Sequence, residues 1–164
     1  LKKSESRLRI SAPGRSCDNE ETLALWAQNG EILIIDYERA AAICKIREPV
    51  KLAQHIQELG CNTVILCNGQ FGGLIQYKNK NAGYLSIPSL EKEPTGRYSS
   101  FVGVVAASLC SHGKLDFRGL KRACANGGAV SSMCTQGNGP RKLLDLKRDD
   151  YQQLYNKLRR NSKF

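Results

Sequence analysis

The sequence predicts a layered α/β domain, and three observations carry that prediction. Two short apolar runs rich in β-branched residues, "EILIID" (31–36) and "NTVILCN" (62–68), have the composition of parallel strands buried on both faces. Between them lies "EPVKLAQHIQELG" (48–60), the clearest helix in the chain. Pro49 suits its first turn, Leu52, Ile56 and Leu59 fall on one face, and Gly60 stops it. Strands alternating with helices argue for a mainly parallel sheet.

The remaining elements follow in order. "RLRIS" (7–11) is a short possible strand ending at Pro13-Gly14. "DNEETLALWAQNG" (18–30) predicts a helix. Asp18 or Asn19 would cap it, Glu20 and Glu21 suit its first turn, and Asn29-Gly30 ends it. "YERAAAICKI" (37–46) predicts a second helix. "GGLIQYK" and "GYLSIPSL" read as two further strands joined by a polar "NKNAG" turn. "RYSSFVGVVAASLCSHG" (97–113) is apolar on nearly every face and predicts a buried helix, with Ser99-Ser100 as its cap. Asp116 would cap "FRGLKRACANGGAVSSMC", where Gly127-Gly128 demands close packing or a kink. The terminal "DDYQQLYNKLRR" is amphipathic, with Tyr151, Leu154, Tyr155 and Leu158 forming one stripe for docking. The expected divisions are a basic segment at 1–15, an α/β domain at 16–140 and a basic extension at 141–164.

Composition limits the functional classes. The 164 residues make about one domain. No apolar run approaches the ~20 residues of a membrane helix. The chain starts at Leu1 with no secretory pattern, which reads as a processed or partial chain. The seven cysteines (17, 44, 61, 67, 110, 124 and 134) include no C-x-x-C pair, and most lie in apolar runs. Buried free thiols in a reducing compartment are the expectation. With only His55 and His112 beside them, no zinc pattern forms, and no metal is expected.

The net charge of +10 is concentrated at the ends. Residues 1–15 carry five cations against one acid, and residues 141–164 carry eight against three. Basic ends around a near-neutral body suit a polyanion. The candidate nucleic-acid or partner contacts are Lys2, Lys3, Arg7, Arg9, Arg141, Lys142, Lys157, Arg159 and Arg160. No aromatic interleaving is visible along the sequence.

Four motifs in order carry a family resemblance. "LALWAQNGEILIIDYERA" is similar to a helix and strand leading into an Asn-x-x-Glu motif. "VILCNGQFGGLI" is similar to a strand with a Thr-Leu-Gly-x-x-Gly turn. "TGRYSSFVG" stands where a Thr-Gly-Ala-Gly-Asp-Ser/Ala-Phe signature would be, and "ACANGGAVSSMCTQGNGP" looks like a late Ala-Asn-Ala-Ala-Gly-Ala-Leu helix. Over about residues 10–140 the chain thus resembles the C-terminal half of the ribokinase-like (pfkB) carbohydrate kinases. The resemblance implies a three-layer α/β/α fold, present as its C-terminal half only.

In that family the signature turn cradles the transferring phosphoryl group with backbone N–H groups, and its Asp takes the sugar hydroxyl's proton. The Asn-x-x-Glu motif organises magnesium and phosphate. Carried over by position, Thr95 and Gly96 match. Arg97 replaces Ala, Tyr98 replaces the second Gly, and Ser99 replaces the catalytic Asp. A serine hydroxyl is no general base near neutral pH. Asp36 replaces Asn, and Arg39 replaces the Glu and reverses its charge. The positions matching the nucleotide pocket are Gly69, Gly72, Asn126 and Gly127.

The resemblance therefore implies a pseudokinase without a catalytic residue or resident cofactor. Its expected role is structural, in a larger and nucleic-acid-containing assembly such as an organellar ribosome or transcription complex. Family precedent agrees, since fructokinase-like proteins occur in plastid transcription complexes. The expected partners are other subunits, one of them a chain supplying the N-terminal half of the fold, and RNA or DNA, without a membrane. The expected location is mitochondrion or plastid, with cytoplasm as the alternative. The competing reading is a divergent kinase or nucleotide-binding regulator that retains ATP and magnesium.

Overall fold

The computed structural model describes residues 8–87, 90, 92–137, 141–145 and 147–161, and for 142, 148, 151, 157, 159 and 161 the backbone alone. β1 (Ile10–Ser11) precedes α1 (Glu20–Asn29), β2 (Ile32–Asp36), α2 (Tyr37–Cys44), α3 (Pro49–Glu58) and β3 (Thr63–Cys67). β4 (Gly73–Tyr77), β5 (Lys80–Tyr84), α4 (Arg97–His112), α5 (Phe117–Cys134), α6 (Arg141–Leu144) and α7 (Arg148–Asn161) follow. One five-stranded sheet runs in the order β1-β2-β3-β4-β5.

The parallel expectation holds for β1, β2 and β3. The β4–β5 hairpin adds two antiparallel pairings, so the sheet is mixed rather than mainly parallel in its ladders. Alternate residues of the central strands feed two cores. Leu33, Ile35, Val64 and Leu66 pack with α1 and α3 through Leu23, Leu52 and Ile56. Ile32, Ile34, Ile65 and Ile75 pack with α4 and α5 through Phe101, Val105 and Leu120. Helices on both faces make three layers, which is why these strands are apolar at consecutive positions.

Local signals place most boundaries. The Asn19 side chain accepts from Thr22 N–H at 2.8 Å and caps α1. Asp116 accepts from Gly119 N–H at 2.6 Å and caps α5. Gly127 is the close-packing point the Gly-Gly pair called for, since a Cβ there would lie 2.8 Å from the Phe101 ring.

Three expectations need correction. The second hairpin strand is Lys80–Tyr84, which starts inside the span expected as a turn and shares only Gly83 and Tyr84 with "GYLSIPSL". Lys78, at φ 52, makes the reversal. Polar Lys80 and Asn81 suit an edge strand exposed to water. The cap of α4 is Gly96 at φ 90, not a serine. Ser99 and Ser100 lie inside the first turn, and the Ser100 hydroxyl donates to Arg97 C=O at 3.0 Å. Thirdly, two residues of the α7 stripe, Leu154 and Leu158, pack within the chain. Leu158 is buried against Ile87 and Ala129, with Leu154 beside them.

Gly72 ties the β3–β4 connection to β5. At φ +99, a Cβ would meet Tyr84 C=O at 2.0 Å. We expect Gly72→Ala to destabilise the fold by about 3 kcal/mol through backbone strain and overpacking. Urea denaturation measures this, and a loss below about 1 kcal/mol would show that the hairpin yields.

Candidate functional site

β2 and β3 end level with each other, since Asp36 is registered with Cys67. The crevice beyond such carboxyl ends is where open α/β sheets bind ligands. Here it is a cavity of about 220 Å³ whose lining includes Asp36, Cys67, Gly69, Arg97, Tyr98 and Gly128. The fold thus brings together Asp36, Gly69, Arg97 and Tyr98 from three separate motifs. Ser99 is exposed and is not part of this lining.

Each side chain here already has a task within the fold. Tyr98 sends its hydroxyl to Ile34 C=O, donating at 2.6 Å. The aromatic ring therefore fills space where the signature turn would present bare glycine backbone. Burial pushes its phenol well above the ordinary range, so it stays neutral. Arg97 donates to Thr135 Oγ1 at 3.0 Å and joins the start of α4 to the end of α5. Asp36 accepts from Arg39 N–H at 3.0 Å and caps α2. Arg39 turns away to the β1–α1 connection, where it donates to Cys17 C=O at 3.0 Å and faces Asp18 at 3.5 Å. The position aligned with the magnesium-organising carboxylate holds a cation that staples a loop.

The carboxylate just before the signature is Glu93. It accepts from Thr95 N–H at 3.0 Å and from the Thr95 hydroxyl. Those hydrogen bonds hold its carboxyl below the usual range. A carboxylate with a lowered pKa is a weaker base. Among the described residues no group of three or more His, Cys, Asp or Glu could hold a metal ion. Asp36, already committed to α2 and followed by Arg39, does not fit a magnesium–nucleotide site.

The four positions matching the nucleotide pocket are dispersed. Gly69 lines the crevice. Gly72 faces the β5 backbone. Gly127 packs on Phe101 and Val105. Asn126 donates to Ser108 Oγ at 3.2 Å and lines a separate cavity of about 350 Å³ between α4 and α5. Ser86 and Gly128 are among the crevice residues that the sequence reading missed. Ser86 donates to Gly128 C=O at 3.0 Å, and a Cβ on Gly128 would meet Leu85 C=O at 2.9 Å. The Gly127-Gly128 pair was the available signal for that approach. A larger cavity, about 700 Å³, opens beside the Gly turn, with Asn68, Phe71, Leu74, Lys121 and Ala125 in its lining.

Of the proposed terminal contacts, Arg9, Arg141 and Arg160 are exposed. Lys2, Lys3 and Arg7 lie outside the described residues, as do the side chains of Lys142, Lys157 and Arg159.

This arrangement is similar to half of a sugar or nucleoside kinase. Aminoimidazole riboside kinase from Salmonella enterica superposes with a TM-score of 0.73 at 20% identity, over 82% of this chain and 45% of that one. Thermotoga maritima ribokinase gives 0.72 at 21%, over 93% and 50%. A Burkholderia thailandensis nucleoside kinase gives 0.72 at 16%, over 91% and 47%. No protein-family model matches the chain, and no curated protein does. The chain therefore has a ribokinase-like α/β fold. It spans about half the length of those kinases, 45% to 50% of the three chains.

The cysteine thiols give a pH prediction. Burial pushes Cys67 up to about 12, and Cys44 and Cys61 up to about 11, from an ordinary 9.0. Unfolded thiols ionise first, so this stabilisation is complete below pH 9 and is lost as pH rises from 9 to 12. Denaturation midpoints should fall across that window. Below it, iodoacetamide should label exposed Cys110 well before Cys61, Cys67 and Cys124. Equal labelling of all four would refute the burial argument.

Proposed function

We propose that this chain is a non-catalytic, ribokinase-like subunit of a larger, nucleic-acid-containing assembly, such as an organellar ribosome or transcription complex. One observation carries the loss of catalysis: Tyr98 occupies the signature turn and hydrogen-bonds Ile34, while exposed Ser99 stands in the place of the base. The site's polar groups serve the fold, which supports a structural role. The net charge of +10 supports a polyanionic partner. Mitochondrion or plastid is the proposed location, and a chain supplying the other half of the fold is a proposed partner. Leu154 and Leu158 of α7 pack within the chain, so this packing gives no support to α7 as the partner's handle.

Two experiments test the reading. Native protein should travel in a large particle that shrinks or releases it after nuclease treatment. A small, nuclease-insensitive species would overturn the proposal. Restoring the base alone should not restore transfer. Ser99→Asp should give no sugar-dependent ATP turnover, because Tyr98 and Arg39 remain; turnover would establish a divergent kinase instead.

The cavity of about 700 Å³ beside the Gly turn favours a second reading, nucleotide binding without transfer. ATP titration calorimetry on the full chain tests it. Binding that Asn68→Trp, in the lining of that cavity, abolishes would support it, and no heat at millimolar ATP would end it.

A further inference from the structure

The β3–β4 register separates the two ends of the sheet. Cys67 pairs with Gly73 at the crevice end, and Thr63 pairs with Tyr77 at the other. The hairpin tip, Lys78 to Lys80, therefore lies at the end remote from the crevice. α4 starts beside the crevice at Arg97 and finishes at His112, and α5 starts at Phe117 and returns. Contact between Tyr77 and Phe117 brings the α4–α5 connection to the hairpin tip. Their rings stack with centroids 6.4 Å apart and planes 14° apart. The Tyr77 hydroxyl donates to Leu115 C=O at 3.2 Å.

This contact gathers cations that are distant in sequence. Lys78 Nζ lies 5.3 Å from the Tyr77 ring centroid, and Lys121 Nζ lies 5.2 Å from that of Phe117. One two-ring stack thus holds two ammonium groups in place. Lys78, Lys80, Lys114, Arg118, Lys121 and Arg122 are all exposed. The acid in residues 112–122 is Asp116, which accepts from Gly119 N–H and faces His112 at 3.7 Å. Arg122 also borders the cavity of about 350 Å³, with Ser108, Ser111, His112 and Asn126 and no carboxylate in its lining. The Ser111 hydroxyl donates to Ala107 C=O and the Asn126 amide to Ser108 Oγ, which leaves the imidazole and guanidinium as the lining's donors for phosphate oxygens.

We infer that this corner, built from the β4–β5 tip and the α4–α5 connection, is a docking surface for a nucleic-acid backbone. The inference rests on the nucleic-acid reading above and names the surface that serves it. A nucleic acid fits better than an acidic protein on two counts. The cations adjoin a pocket of phosphate-type donors, and ring-held lysines forfeit little freedom on meeting a regular array of charges. The hairpin tip is remote from the crevice, while Lys121 also borders the cavity of about 700 Å³, and no cation of this surface needs the lost kinase chemistry.

The test uses the full chain, a labelled 20-nucleotide oligouridylate and fluorescence anisotropy across a salt series. Neutralising four cations together (Lys78→Gln, Arg118→Gln, Lys121→Gln and Arg122→Gln) should weaken binding more than tenfold. The slope of log K against log salt should fall by about 3, at roughly 0.7 per lost phosphate contact. Neutralising Arg141, Arg160 and Lys142 to Gln should change the slope by less than about 1. Should the fourfold variant misfold by circular dichroism, Lys78→Gln with Lys80→Gln at the hairpin tip must still lower the slope by about 1. Wild-type behaviour of the corner variants, with binding lost in the terminal variant, would overturn this surface and leave the nucleic-acid reading standing. No oligonucleotide binding by the wild type would overturn both. Polyglutamate bound as tightly as oligouridylate, with the same sensitivity to the four substitutions, would reassign the corner to an acidic protein.

Discussion

The parallel pairing of β2 with β3 is the constraint on which the rest of the molecule depends. Ile32 to Ile35 and Val64 to Leu66 are all buried, and a strand sends successive side chains to opposite faces. Both faces must therefore be covered. α1 and α3 close one core, and α4 and α5 close the other. A one-residue slip would exchange the two sets of side chains between cores of different shape. The same register ends both strands level, at Asp36 and Cys67. The crevice is thus a consequence of core packing, and it persists whatever residues line it.

That separation means that residues lining the crevice can change without loss of the fold. A phosphoryl-transfer turn needs bare backbone donors, clustered carboxylates and space, and each of these is costly to keep. Here Tyr98 fills space and satisfies a strand-end carbonyl. Arg39 satisfies the Cys17 carbonyl and ties down the segment before α1. Arg97 joins the ends of two helices through Thr135. The polar side chains that line or adjoin the crevice thus act as braces, each with a protein partner.

Features fixed by local chemistry were legible in the sequence. The caps at Asn19 and Asp116, the start at Pro49 and the close packing at Gly127 each follow from one or two residues. The motif substitutions were legible for the same reason, since position within a motif is local. Legibility failed where distant backbone decides. The "NKNAG" stretch has turn composition, yet pairing with β4 extends Lys80–Tyr84 into a strand. Ser99 and Ser100 are good capping residues, but the φ of 90 at Gly96 starts α4 earlier. Asn126 and Gly127 are adjacent in sequence and point about 100° apart on α5. One therefore reaches the polar cavity while the other packs on Phe101. The aromatic interleaving missing from the linear sequence arises only when residues 77–78 meet residues 117–121.

The two ends of the sheet are electrostatically independent. A five-residue strand such as β3 spans roughly 15 Å, which exceeds the ~8–10 Å screening length at physiological salt. The exposed cations at the hairpin tip therefore exert little field on Asp36 or Glu93. Changes at the crevice likewise leave the charge of the far corner unaltered. What links the ends is mechanical: α4 and α5 run the length of the sheet between them, and both are anchored in one core by Phe101, Val105 and Leu120. A substitution that fills the crevice and preserves this core keeps the far corner in place. Residues at one end of the sheet can thus change while the surface at the other keeps its shape.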